Sequence, residues 1–224
     1  MSKRIIVLLT ALVAVGIFFG AGYVYDRQME KLKQEAAAAS ANALIRDHSP
    51  VIGIPDAAVT IVEFFDPACE SCRAFYPIVK QILARHPGDV RLILRYAPFH
   101  DGSDHVVRML EAARIQDVFE PVLESVLRAQ PNWAMHGNPD IGVAWEAARI
   151  AGLDVERAKR DINLPAIEAV LKQDVADLTA LKIRSTPTFF VNDQPLQSFG
   201  PRQLYEAVVN EVQKMSDRAV NSTQ

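Results

Sequence analysis

Only two thiols occur in this chain, and they stand three positions apart in Cys69-Glu70-Ser71-Cys72. Two cysteines can make one structural bridge, half of a zinc site or one redox centre. A tetrahedral zinc site wants two further ligands. No other cysteine exists, and His48, His86, His100, His105 and His136 include no H-x3-H pair. Copper(I) accepts two thiolates, so metal handling without turnover stays open as an alternative. A bridge over two intervening residues closes a tiny loop and stabilises little. The surroundings favour redox chemistry. Ala58 to Phe65, AVTIVEFF, is β-branched and aromatic and reads as a buried strand. Asp66-Pro67-Ala68 breaks it, and a helix follows from about Cys69 to His86 with apolar Phe75, Ile78, Val79, Ile82 and Leu83. A cysteine at a helix start meets unpaired amide N–H groups and the positive end of the helix dipole. That lowers its pKa and populates the thiolate, the reacting form. The second cysteine, one turn on, lies beneath the first and can resolve a mixed disulfide. Glu63, six residues before Cys69 in an otherwise apolar run, reads as a buried acid behind the helix with a raised pKa. It could take the proton of Cys72; the plainer reading is an edge-exposed strand residue.

The elements around this pair read as α/β. Pro87-Gly88 ends the helix, and Val90 to Tyr96, VRLILRY, is a second strand. The crossover between the two strands is long enough for parallel pairing. A block of helices follows: Ser103 or Asp104 to about Ile115, Asp117 to Ala129, Pro139/Asp140 to Gly152, a short helix capped by Asp154, and Leu164 to about Leu181. Strand character returns at Thr188–Val191, TFFV. Asn192 to Pro195 is a turn, and Leu196 to Phe199 can pair back as a hairpin. A last amphipathic helix starts at Gly200-Pro201, and the residues from about Asp217 read as frayed. Pro187 in Ser185-Thr186-Pro187-Thr188 opens a strand, where no N–H is needed. Cis is the minority form of an X–Pro bond, so the sequence alone predicts trans.

Composition bounds the rest. With 224 residues, the chain suits one domain and an appendage. Its net charge of −3 excludes a strongly basic nucleic-acid binder. Half the residues are hydrophobic and 23% charged, so the chain as a whole is not disordered. Residues 1–25 read as a signal anchor: Lys3 and Arg4 precede an uncharged run from Ile5 to Tyr25, about 31 Å long as a helix. The run exceeds the apolar region of a cleaved signal peptide, and Ala39-Ser40-Ala41 lies far beyond its end. Positive charge on the two flanks is nearly tied, so the chemistry, not the charge, places the domain outside. Residues 26–49 read as an Ala-rich helical spacer, with a weak self-association stripe at Met29, Leu32, Ala36, Ala39 and Ala43 as the alternative. Residues 50–216 are the domain, with the helical block at about 102–182, and 217–224 a frayed tail.

VEFFDPACESC with its helix, the STPTFF segment and the closing hairpin and helix together resemble the thioredoxin superfamily. The helical block and the opening Gly53-Ile54-Pro55-Asp56-Ala57 resemble its DsbA-like branch. The resemblance implies a thioredoxin-like fold with a helical insertion, and an enzyme without a bound cofactor. It implies Cys69 as exposed nucleophile, Cys72 as buried resolving thiol, Pro187 cis and facing them, and Glu63 as buried acid. Thr186, with Glu70 and Ser71, would meet the substrate. It implies a thiol–disulfide oxidoreductase acting on cysteine-containing exported proteins: an oxidase first, an isomerase or reductase as the alternative. The other class left open is a non-catalytic copper- or metal-binding protein of this fold. The partner would be a quinone-linked oxidase or an electron-supplying reductase in the cytoplasmic membrane, with the domain on the periplasmic or extracytoplasmic side. Well-known strong oxidants carry Pro-His between the cysteines. Here Glu70 and nearby Asp66 put like charge beside Cys69, which predicts a weaker oxidant. Trp133 and Trp145 read as packing residues, His100 and His105 as surface, Met135 and His136 as packing rather than groove rim, and Phe64 and Phe65 as lying under the redox helix. Glu156 to Asp161 reads as a solvated helix face.

Overall fold

The computed structural model describes residues 20, 22–23, 25, 27–31 and 43–221. The chain forms two units, 1–42 and 43–224. In the first, the described residues are helical. Most of the expected anchor and spacer lies outside the described residues; among those described, no helix is long and apolar enough to cross a membrane.

The second unit runs β1 (Val51–Ile52), β2 (Val59–Phe65), α1 (Glu70–Arg85), β3 (Val90–Tyr96), α2 (Ser103–Ile115), α3 (Phe119–Trp133), α4 (Ile141–Ile150), α5 (Val155–Asp161), α6 (Pro165–Ala180), β4 (Thr188–Val191), β5 (Gln194–Pro195) and α7 (Pro201–Asn221). The sheet order is β1-β3-β2-β4-β5. β2 and β3 are parallel; β1 on β3, β4 on β2 and β5 on β4 are antiparallel. Every residue of β2 is buried, because helices cover both faces of the central strand.

Strand periodicity then sorts the side chains. Val59, Ile61 and Phe65 join Val79 and Ile82 of α1 and Leu204 and Val208 of α7 in the main core. Val62 and Phe64 join Ile93, Ala97 and Leu178 in a second core on the opposite face. Only Phe65, therefore, lies under the redox helix; Phe64 meets Phe190 instead, with ring centroids 6.0 Å apart. The helical block α2–α6 matches the expected insertion. Its second helix runs to Trp133, four residues past the expected end, with Pro131 inside it.

Three boundaries differ from expectation. The strand pairing back on β4 is Gln194–Pro195, and Leu196 to Phe199 stay outside the sheet. The last helix continues through Asn221 rather than fraying at Asp217. Residues 43–49, expected as spacer, belong to the domain: Ala43 and Leu44 are buried, and Arg46 and His48 reach α6.

What holds that segment is a buried charge cluster. Arg95 is fully buried on β3. It donates to Asp174 at 2.8 Å, to Asp177 at 2.6 Å and to the carbonyls of Ala43 and Leu44. Arg46 also pairs with Asp177, and the Tyr96 amide and His48 with Asp174. Removing one partner strands the others in a medium that solvates charge poorly. Arg95→Met is expected to lower unfolding free energy by about 3–5 kcal/mol in urea denaturation.

Candidate active site

The break at Asp66-Pro67-Ala68 lets the chain turn from β2 into α1, and Cys69 is the N-cap. Cys69 has extended backbone angles, φ −76° and ψ 121°, with no side-chain cap bond. Its sulfur stands at the positive end of the helix, where the amides of Ser71 and Cys72 favour its charge. Cys69, expected as the exposed thiol, is buried at 6% exposure under the proline loop; Cys72 is fully buried one turn on, and both cysteines are free thiols. Thr186-Pro187 is a cis peptide, and the Thr186 carbonyl lies 3.3 Å from the Cys69 sulfur. Protonated, the thiol donates to that carbonyl.

Ionisation is split sharply between the two sulfurs. The Cys69 thiol is pulled down to about 5. The hydrogen bond from Cys72 contributes most; Thr186 and the amides of Cys72 and Ser71 add to it, while burial opposes. Cys72 is pushed far up by burial, by donating to Cys69 and by the Glu63 charge. The Asp66 amide donates to its sulfur at 3.4 Å.

Glu63 lies on the α1 side of β2 by strand parity, between Leu94 of β3 and Phe189 of β4. It is fully buried, not edge-exposed, and neither carboxylate oxygen has a hydrogen-bond partner among the described residues. Burial first, then the Cys69 charge, pushes its carboxyl up to about 8.

Ser71, Thr186, Pro187, Leu196 and Phe199 line a groove of about 280 Å³ beside the sulfurs. Phe199 is 58% exposed and stacks on Phe75 with centroids 4.7 Å apart. Glu70 is not part of that lining. It is exposed, with a carboxylate oxygen 3.8 Å from His136 Nδ1.

Several neighbours went unread in the sequence. Gln130 of α3 is buried and donates to the carbonyls of Pro67 at 2.8 Å and Cys69 at 2.9 Å, clamping the redox turn. Its own oxygen accepts from Arg73 of α1 at 2.8 Å. A polar residue among the apolar positions of an amphipathic helix was the available signal. Asp66 does not present bare charge to Cys69: its carboxylate accepts from the amides of Ala68, Phe99 and His100, from Ser103 and from the His100 ring. His100 is thus a bonded member of the site rather than free surface. His136, with Met135, is exposed; its ring meets His100 edge-on, so His136 rims the site instead of packing in a core. His105 is half-buried and accepts from Trp145 at 3.2 Å, while Trp133 is fully buried.

A family model described as Thioredoxin matches residues 45–210. The crystal structure of a thioredoxin-like oxidoreductase from Silicibacter pomeroyi DSS-3 is similar at 32% identity and a TM-score of 0.66, covering 77% of this chain and 97% of that one. Disulfide bond formation protein D of Bacillus subtilis is 24% identical over 185 residues, 74% of this chain and 76% of the relative. A Na(+)/H(+) antiporter NhaA of Herminiimonas arsenicoxydans is 34% identical over 151 residues, 67% of this chain. The chain spans 23% of that antiporter's length.

Two measurements follow from the ionisation pattern. Iodoacetamide is expected to label Cys69 with a midpoint near pH 5 and to leave Cys72 unlabelled at pH 7 in the folded, reduced protein. Between pH 4.5 and about 8 the folded protein keeps the Glu63 proton that the unfolded chain releases, so this group's contribution to stability falls as pH rises through that window. Glu63→Leu is expected to remove that slope and to gain on the order of 3 kcal/mol over the parent at pH 8.5, read by denaturant unfolding at pH 5 and 8.5.

Proposed function

We propose that this chain, which belongs to the thioredoxin family, forms disulfide bonds in exported proteins through Cys69 and Cys72. Its fold is that of the DsbA-type thiol–disulfide oxidoreductases, and it is an oxidoreductase. What supports the oxidase direction is the Cys69 thiol, pulled down to about 5 at the helix start beside the Thr186 carbonyl, set against a Cys72 that burial pushes up. A sulfur stable as a thiolate is a good leaving group, and its stability favours the reduced form of the pair. The oxidised pair then tends to hand its bond on.

In this reading a client thiolate attacks Cys69 Sγ of the oxidised pair. The S–S bond breaks, its electrons go to Cys72, and a client–Cys69 disulfide forms. Cys72 takes up a proton, with Glu63 the acid beside it. The second client thiolate attacks the client sulfur and expels Cys69 as thiolate. The client loses two electrons and the pair gains them. Thr186 and Pro187 position an extended client in the groove, and Ser71, Leu196 and Phe199 give it an apolar and hydroxyl-bearing wall. Glu70 acts at the rim, through His136, rather than in the groove.

The uncharged run from Ile5 to Tyr25 supports a single-pass anchor in the cytoplasmic membrane, with the domain from residue 43 onward on the extracytoplasmic face and 26–42 as the tether. A membrane-bound, quinone-linked oxidase would reset the pair. Isomerase or reductase action uses the same steps in reverse: Cys69 attacks a client disulfide, and Cys72, losing its proton to Glu63, resolves the adduct.

The test is oxidative refolding of a reduced, disulfide-containing client by the full chain. Cys69→Ser is expected to lose all turnover, and Cys72→Ala, mixed with the client in its disulfide form, to trap a covalent client–Cys69 adduct visible on non-reducing gels, because the Cys69 thiolate opens the client S–S bond and no second thiol releases it. Turnover that survives in Cys69→Ser would end this reading. An oxidised protein that reduces or shuffles clients but never oxidises them would move it to the reductase or isomerase alternative.

A further inference from the structure

The residues between the two cysteines bring no cation to the Cys69 sulfur. A cation arrives from elsewhere in the chain. Asp66 is fully buried at the last position before the redox turn, and its Oδ2 accepts from His100 Nδ1 at 2.7 Å. The same oxygen accepts from the amides of Phe99 at 2.7 Å and His100 at 3.1 Å. Oδ1 accepts from the Ala68 amide at 2.9 Å and from the Ser103 hydroxyl. These donors fix the imidazole with Nδ1 protonated and leave Nε2 as the nitrogen that can gain a proton. The His100 side chain is 32% exposed, so that proton can exchange with solvent.

The turn carrying His100 is wedged in place. Gly102 has φ +77°, and a Cβ there would meet Ile141 Cδ1 at 2.8 Å and Pro139 at 3.1 Å. Only glycine suits both the left-handed backbone and the close approach. That contact joins the β3–α2 turn to the start of α4, and the His100 and His136 rings stand with centroids 6.1 Å apart.

His100 is held at the redox turn by Asp66, three residues before Cys69, and its ring stands against His136 of the α3–α4 loop, whose Nδ1 lies 3.8 Å from Glu70 at the start of α1; Asp101 beside it in the chain is exposed. Burial lowers the imidazole's affinity for a proton. The bond to Asp66 and the charges of Asp66, Cys69 and Glu70 outweigh burial and raise it.

We propose that His100, held by Asp66, is the positioning residue that sets the charge balance at the Cys69 sulfur: as imidazolium it stabilises the reduced pair, so the pair's oxidising power depends on the protonation of His100. This rests on the redox reading above. A client dithiol gives the pair two electrons and two protons; one proton stays on Cys72, and the other leaves as Cys69 remains a thiolate. That new negative charge is what the imidazolium answers. Where His100 is neutral before reduction, it takes up a proton from solvent as the thiolate forms. Coupling of this kind is reciprocal: the thiolate must raise the proton affinity of His100 as much as the imidazolium lowers that of Cys69.

The experiment uses the full chain and no client. The His100 ring is titrated by NMR in the oxidised and in the reduced protein. Its midpoint is expected to lie about 0.5–1 unit higher when reduced. His100→Gln keeps a donor for Asp66 without the charge. It is expected to raise the Cys69 ionisation midpoint, read by thiolate absorbance at 240 nm, by about one unit, and to make the equilibrium with glutathione about tenfold less oxidising, equal to about 30 mV. His100→Lys is expected to restore the low midpoint and to abolish the potential's extra pH dependence around neutrality. Equal His100 midpoints in the two redox states would overturn the proposal, and that measurement needs no variant to fold. So would a folded His100→Gln protein whose Cys69 midpoint and glutathione equilibrium match the parent's. Coupling that is present in a protein unable to oxidise any client would sink the proposed function and leave this inference standing.

Discussion

Two sulfurs set at unequal depth at one helix start govern the chemistry of this domain. The Cys72 thiol donates to Cys69, which makes Cys69 easier and Cys72 harder to ionise. One interaction thus assigns two roles to identical residues. The helix start adds the amides of Ser71 and Cys72, and the proline loop adds Thr186. Burial works against the charge on Cys69 but works with the neutrality of Cys72, which is fully enclosed. The asymmetry therefore comes from depth as much as from donors: one turn of helix carries the second sulfur from 6% exposure to none.

The helical insertion contributes more than cover. Gln130 of α3 holds the carbonyls of Pro67 and Cys69, so the redox turn is tied to an element far along the chain. The start of α4 packs closely on Gly102 in the β3–α2 turn, while Ser103 and the adjoining amides enclose Asp66. A buried carboxylate with this many donors is held in one orientation. Its charge is answered locally, which is why the sequence argument that Asp66 repels the Cys69 thiolate does not describe the folded site.

The redox turn was legible because its signals are local. A strand-breaking Asp-Pro, a cysteine at a helix start and a second one turn later need no tertiary knowledge. β2, β3, α1 and the five helices of the insertion follow from periodicity and caps, and Glu63 falls on the α1 face by counting twos from Ile61. The illegible parts depend on meetings between distant segments. Nothing in the spacing of Asp66, His100, Ser103 and His136 says that they converge. Phe64 and Phe65 look alike in sequence, yet alternation sends them to opposite cores. Residues 43–49 look like the end of a polar spacer until Arg95 and α6 supply the charges that Arg46 and His48 reach. The cis form of Thr186-Pro187 runs against the intrinsic preference of the bond, so only the resemblance pointed to it.

Glu63 shows why such a site is costly to build. Its neighbours on the flanking strands are Leu94 and Phe189, and its oxygens find no donor among the described residues. A leucine would fill the place with less desolvation cost and no pH dependence. Under the proposed function, an acid there holds a proton where water does not reach. Cys72 is the group that needs one, since it is deeply buried and must change between thiol and thiolate as the disulfide opens and closes. A carboxyl held near pH 8 can keep that proton at neutrality and still release or recover it at modest cost. The core has therefore given up stability at one position on the α1 side of β2, and the proposed function gives that position a use: holding the proton that Cys72 exchanges.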